Sequence, residues 1–157
     1  VVTESFRSQS QSEVKDGMDL ALCAINEDKT KLEFSGANNP CIIVRKGEII
    51  ELKPDKQPIW QYENSKSFTL HTFDLEKDDC IYLYSDGYID QFGGEKGKKF
   101  KSAPFKVLLS TIYQLTMKEQ YKIIQNTFDD WKQDLEQIDD VCVFGVKIWE
   151  QLNFFFF

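Results

Sequence analysis

In Asp79-Cys80-Ile81-Tyr82-Leu83-Tyr84-Ser85-Asp86-Gly87-Tyr88-Ile89-Asp90, an alternating run meets an acid-glycine pair. Asp79 to Tyr84 predicts a half-buried strand. The run stops at Ser85-Asp86-Gly87, which puts a carboxylate at a strand end with a flexible residue behind it for a tight turn. A second acid pair, Asp139-Asp140, opens the last strand-like run, Val141 to Ile148. Two strand-edge acids distant in sequence are what a hard-cation site on a β scaffold requires.

Upstream of Asp79 the chain reads as strands and turns. Met18 to Asn26 and Lys31 to Ser35 predict a hairpin across Glu27–Thr30. Gly36-Ala37-Asn38-Asn39-Pro40 is a turn cluster. Cys41 to Arg45 and Glu48 to Leu52 predict a second hairpin with Lys46-Gly47 at its tip. A polar loop over Lys53–Lys66 leads to a strand over Phe68–Phe73. Asp19 falls within the first apolar run, where an inward carboxylate needs hydrogen-bond partners.

Downstream the character changes. Phe92–Lys99 carries three glycines but lacks the G-x-x-x-x-G-K-[ST] order of a phosphate cradle, so it is expected to be a flexible surface loop. Pro104–Gln114 has apolar residues at 105, 108, 109 and 112, a helical spacing. Thr116-Met117-Lys118-Glu119 is a capping box opening a longer helix. There Met117, Tyr121, Ile124, Phe128, Trp131 and Leu135 form one buried stripe, read as core. Antiparallel strands, then a helix pair, then one strand argue for an α+β fold.

The 157 residues are 41% hydrophobic and 29% charged, which suits one domain with a real core. The net charge of −7 argues against a nucleic-acid partner, since phosphate binding needs a basic surface. Cys23, Cys41, Cys80 and Cys142 lie far apart without a C-x-x-C and are expected to be buried reduced thiols. His71 is the only histidine, so a zinc site or a His-based triad is poorly supplied, and His71 itself is expected at a strand surface. No apolar run approaches the ~18–20 residues that span a bilayer, and there is no signal-peptide pattern. Phe154–Phe157 is an apolar tail from which no function is drawn.

Taken singly, Asp-Gly turns and strand-end acids are ordinary structure. Together, such carboxylates can share one or two Mg²⁺ or Mn²⁺ ions, which favour oxygen ligands and keep several waters. A water activated in this way needs no serine, cysteine or histidine nucleophile.

Four ordered segments carry a family resemblance. They are Asp16-Gly17-Met18-Asp19-Leu20-Ala21-Leu22, Ser35-Gly36-Ala37-Asn38-Asn39-Pro40, Tyr84-Ser85-Asp86-Gly87-Tyr88-Ile89-Asp90-Gln91-Phe92-Gly93 and Asp139-Asp140-Val141. They closely resemble the C-terminal part of SpoIIE/RsbU-like phosphatases, metal-dependent type 2C (PPM) serine/threonine phosphatases, over about Asp16 to Ile148. The resemblance implies an α-β-β-α sandwich of two antiparallel sheets flanked by helices, incomplete at its N-terminus. Residues 1–15 would end an upstream helical or linker element, 16–149 would be the phosphatase portion, and 150–157 a tail. It implies two Mn²⁺ or Mg²⁺ ions in the complete domain and hydrolysis of phosphoserine or phosphothreonine by a metal-activated water. The implied substrate is a phosphorylated anti-anti-sigma-type signalling protein, in stress-response regulation. An upstream sensor, through which a cytoplasmic domain can be membrane-anchored, is implied as well, and a homodimer is compatible with it.

Carried over residue by residue, Asp86 and Asp139 match metal ligands, and Asp140 is the lesser candidate beside them. Ser85, Gly87, Asp90 and Asp19 are expected to have supporting or structural roles. The departures are specific. The family's first metal motif, which supplies the acid bridging both ions, has no counterpart here; Asp16-Gly17 matches a later segment. Trp60 stands where relatives usually have glycine, and Cys142 replaces a common threonine. Asp86 and Asp139 alone leave too few anionic ligands for two ions, so this chain alone is expected to have little or no phosphatase activity. A non-catalytic regulatory module of the same fold is the alternative.

Overall fold

The structure, a computed structural model, describes residues 17–59, 66–148 and 153–157. Residues 1–15, Asp16 and Trp60 lie outside them. Among the described residues, ten strands and three helices follow in order: β1 (Leu20–Ile25), β2 (Lys31–Ala37), β3 (Cys41–Arg45), β4 (Glu48–Leu52), β5 (His71–Asp74), β6 (Cys80–Tyr84), α1 (Asp86–Asp90), β7 (Phe92–Gly93), β8 (Lys98–Lys99), α2 (Ser102–Ile112), α3 (Met117–Lys132), β9 (Val143–Lys147) and β10 (Asn153–Phe156).

Two antiparallel sheets stack face to face. One has the order β1-β2-β5, the other β10-β9-β6-β3-β4. Between them lie Leu32, Phe34, Cys41, Ile43, Ile81 and Val146. The other face of the five-stranded sheet packs Ile42, Val44, Tyr82, Tyr84 and Val143 against Phe105, Leu109, Ile124 and Phe128 of α2 and α3. The α+β sandwich therefore has a helix layer, a five-stranded sheet and a three-stranded sheet. Among the described residues, helices cover the five-stranded sheet only. The outer face of the three-stranded sheet carries exposed side chains, Leu22, Ala24, Lys31 and Glu33 among them.

This layering corrects the half-buried reading of β6. Both its faces are covered, so Cys80, Ile81, Tyr82 and Tyr84 are all buried and only Leu83 is partly open. β3 is central for the same reason, with Cys41–Val44 fully buried.

The capping box on α3 is present: Thr116 accepts the Glu119 backbone N–H, and the Glu119 carboxylate accepts that of Thr116. The buried stripe ends with the helix. Leu135 lies beyond it and is 46% exposed. The glycine-lysine segment is not a loose loop. β7 and β8 pair, and Gly94 and Gly97 take positive φ in the turn between them. The Gly94 N–H donates to the Trp131 carbonyl at 2.8 Å, which docks the hairpin on the end of α3. The predicted strand at Phe68–Phe73 begins later, at His71, which is half-buried against Phe34 with Nε2 3.0 Å from the Lys53 carbonyl.

The phenylalanine tail is a strand. β10 pairs with β9, Phe154 opposite Val146 and Phe156 opposite Phe144. Phe155 and Phe157 turn inward against Tyr121, while Phe154 and Phe156 remain exposed. Gly145 leaves the room that the Phe155 ring fills.

Candidate functional site

The site sits where β6 ends beside the start of β9. The antiparallel register sets Tyr84 opposite Val143. The chain segments just beyond that pair, 85–86 and 139–142, must then lie side by side. Ser85 joins them. Its N–H donates to the Cys142 carbonyl at 3.0 Å, and its Oγ donates to the Asp140 carbonyl at 2.9 Å. The same Oγ accepts the Cys142 N–H at 3.0 Å. A short side chain with both donor and acceptor capacity is needed there, and serine supplies it.

Asp86 opens α1 rather than a simple turn, and lies in the first turn of that helix. Gly87 is not needed for a positive φ. It is needed for approach: a Cβ would overlap the Asp140 carbonyl oxygen and come within 2.9 Å of its carbon. Thus Ser85 and Gly87 hold the two acid-bearing segments at contact distance from opposite sides of Asp86.

Four acids share this end of the sandwich. Partial burial pushes the Asp86 carboxyl above the usual carboxylate range, and the charges of Asp139, Asp90 and Asp19 push the same way. Asp139 lies in the segment before β9, where its Oδ1 accepts the Asp140 N–H at 2.7 Å. Asp140 contributes its backbone to the Ser85 clasp. Asp90 pairs with Lys99 of β8 at 2.6 Å. Asp19 comes from the other sheet, just before β1, and is exposed rather than inward; Asn38 Nδ2 donates to its Oδ1 at 2.7 Å. Asn38 itself takes φ +60° in the Asn-Asn-Pro turn.

The structure therefore brings Asp86, Asp139, Asp90 and Asp19 to one end. No ion pair to Asp86, Asp139 or Asp19 occurs among the described residues. Asp86, Asp139 and Asp19 offer hard oxygens with no protein cation beside them among the described residues, while Lys99 offsets the charge of Asp90; such a set suits a hydrated Mg²⁺- or Mn²⁺-type ion bound through one or two carboxylates. They do not suit a closed two-ion centre: among the described residues, no three His, Cys, Asp or Glu side chains gather closely enough to hold a metal. Sequence reasoning gave Asp19 only a supporting role and did not foresee its electrostatic coupling to Asp86. The one signal for it was an acid set in an apolar run.

The family model described as Stage II sporulation protein E (SpoIIE) matches residues 3–149. Among solved structures, the SiaA-PP2C domain of Pseudomonas aeruginosa is similar with TM-score 0.77 and 25% identity over 83% of this chain and 51% of that one. The phosphatase domain of the cell fate determinant SpoIIE from Bacillus subtilis, presoaked with Mn, matches with TM-score 0.62 and 15% identity over 92% of this chain and 62% of that one. A second structure of that domain gives TM-score 0.60 and 16% identity. No curated protein matches the chain. The chain spans about half to three-fifths of the length of these solved domains. Among the described residues, no helix is long and apolar enough to cross a membrane.

Proposed function

The chain belongs to the SpoIIE family, and from that premise we propose that it is the carboxylate-bearing C-terminal portion of a metal-dependent phosphatase domain. The complete domain would hydrolyse phosphoserine or phosphothreonine on a signalling protein, an anti-anti-sigma-type regulator by class. The observation that supports this reading most is the β6–β9 clasp. Ser85 and Gly87 bring Asp86 beside the Asp139 segment, where no protein cation pairs with either carboxylate among the described residues.

In this reading Asp86 and Asp139 would hold the ion, with Asp140 as the lesser candidate. The chemistry such an ion supplies is Lewis-acid activation of water for attack on a phosphoryl group. The chain's own residues do the positioning. Ser85 and Gly87 fix the segment spacing, Lys99 holds Asp90 aside, and Asn38 orients Asp19 at the rim. The negative field repels a phosphate monoester until a cation is present, so binding order would be cation first.

The second reading, a non-catalytic module of the same fold, is favoured by the absence of a third ligand among the described residues. Titration with Mn²⁺, followed by its paramagnetic resonance signal, separates the two. Binding that Asp86→Asn weakens by about tenfold or more supports the first reading. A folded chain with no affinity for Mn²⁺ favours the second. With p-nitrophenyl phosphate, this chain is expected to turn over little even with Mn²⁺; robust EDTA-sensitive hydrolysis would show that its own ligands suffice.

A further inference from the structure

The four thiols are free, but two of them meet. Cys23 lies on β1 and Cys41 opens β3, so they belong to different sheets. Their sulfurs stand 3.9 Å apart in the layer between the sheets, in S–H···S contact. They are 18 positions apart in sequence, with the whole of β2 and the Asn38–Pro40 turn between them. Each other thiol sits elsewhere: Cys80 faces Gln120 and the Tyr113 carbonyl on the helix side, and Cys142 lies at the β9 start.

We propose that Cys23 and Cys41 are a redox-convertible pair, a modification site at which a disulfide staples the two sheets together. The geometry supplies both access and asymmetry. Among the described residues β1 is an edge of the three-stranded sheet, and Cys23 is half-buried there, whereas Cys41 is fully buried. Contact with Cys41 holds the Cys23 thiol below its usual range, and that contact together with burial pushes Cys41 up; Cys23, the more exposed of the two, is the one that ionises first. Closing the pair to a bond of ~2.05 Å moves each sulfur by about 1 Å, within reach of side-chain rotation and a small strand shift.

The reaction takes a small-molecule disulfide, such as oxidised glutathione, as oxidant. The Cys23 thiolate attacks one of its sulfurs, breaking the S–S bond, forming a mixed disulfide and expelling one thiolate. The Cys41 sulfur then attacks Cys23 Sγ, breaking the mixed disulfide, and its proton passes to the departing glutathione thiolate, which leaves as the thiol. Two electrons pass from the cysteine pair to the oxidant. The new bond ties together the two segments that carry Asp19 and Asn38, four residues before Cys23 and three before Cys41.

The full chain is incubated with oxidised glutathione under native conditions and mapped by mass spectrometry of its peptides. The expected product has lost two hydrogens and links the peptides containing Cys23 and Cys41. Cys41→Ser is expected to stop at one glutathione on Cys23, and Cys23→Ser to form neither product at this pair. Since Cys41 is buried, circular dichroism first checks that its variant folds; Cys23→Ser, at the half-buried position, carries the test if it does not. Glutathione on Cys142 alone, or a 23–41 link that appears only in denaturant, would overturn the proposal.

Discussion

Asp79 and Asp86 bracket the same strand, β6, and have opposite surroundings. Asp79 is 1% exposed, and its two oxygens accept from Arg45 Nε at 2.9 Å and Nη2 at 2.7 Å. A third bond comes from the Glu76 N–H at 2.8 Å. Asp86 lies largely open to solvent, and both its partial burial and the charges of the neighbouring acids act against its ionised form. Seven residues apart, one carboxylate is neutralised within the fold and the other has no protein cation beside it among the described residues. A buried charge must be paired to be tolerated. A charge at a strand end beside like charges raises the energy of the folded chain unless a cation joins it, and this supports the proposal that Asp86 is a binding group rather than a scaffold group.

The sharpest break between the two would come from removing each. Asp79→Ala is expected to cost about 3 kcal/mol, near the low end for splitting a buried ion pair, because Glu76 stays 3.0 Å from Arg45. Asp86→Asn is expected to leave stability unchanged or slightly raised, by less than about 1 kcal/mol, since it relieves like-charge repulsion. Urea unfolding of both variants in metal-free buffer reads the difference. Equal losses would mean that Asp86 is as structural as Asp79, and the contrast would fail.

This contrast was only partly legible in the sequence. The segregated pattern of strands and helices, the Thr116 capping box and the strand-end position of Asp86 all follow from local rules, and each is present. What escaped depends on partners far along the chain. Nothing near Asp79 announces Arg45, which reaches it from β3 across the paired strands. Asp19 and Asn38 meet because β1 and β2 pair with Leu20 opposite Ala37, a register that no window of residues displays. The four phenylalanines of the tail have no period to distinguish helix from strand, so β10 became visible only through its ladder with β9. Gly87 looked like a turn former, yet its role is set by the Asp140 carbonyl more than fifty residues away.

Gly87 sharpens the comparison at the Asp86 end. Gly87→Ala pushes a methyl group into the Asp140 backbone, which cannot rotate away as a side chain could. The expected cost is about 1–3 kcal/mol, as for other overpacked sites. Any Mn²⁺ affinity should fall with it, because the 85–86 and 139–142 segments must separate. Calorimetric melting and the Mn²⁺ titration, run on the same preparation, test both. A loss of stability with metal affinity intact would show that the clasp is not what positions Asp86.

The smallest effect is expected at Lys101, and its sign is opposite. Lys101 precedes α2 with φ 77° and ψ 157°, a conformation open essentially to glycine. It is held there by its N–H, which donates to the Ile89 carbonyl at 2.6 Å and so ties the α2 entry to the helix that Asp86 begins. The lysine side chain is exposed, so replacing it removes little packing. Lys101→Gly relieves the backbone strain but loosens the unfolded chain, and the first effect is the larger where φ is positive. A net gain of about 1 kcal/mol in urea unfolding is expected, with the response of the chain to Mn²⁺ unchanged. A loss of stability instead would mean that the bond to Ile89, and with it the seat of α1, relies on lysine at 101 rather than merely tolerating it.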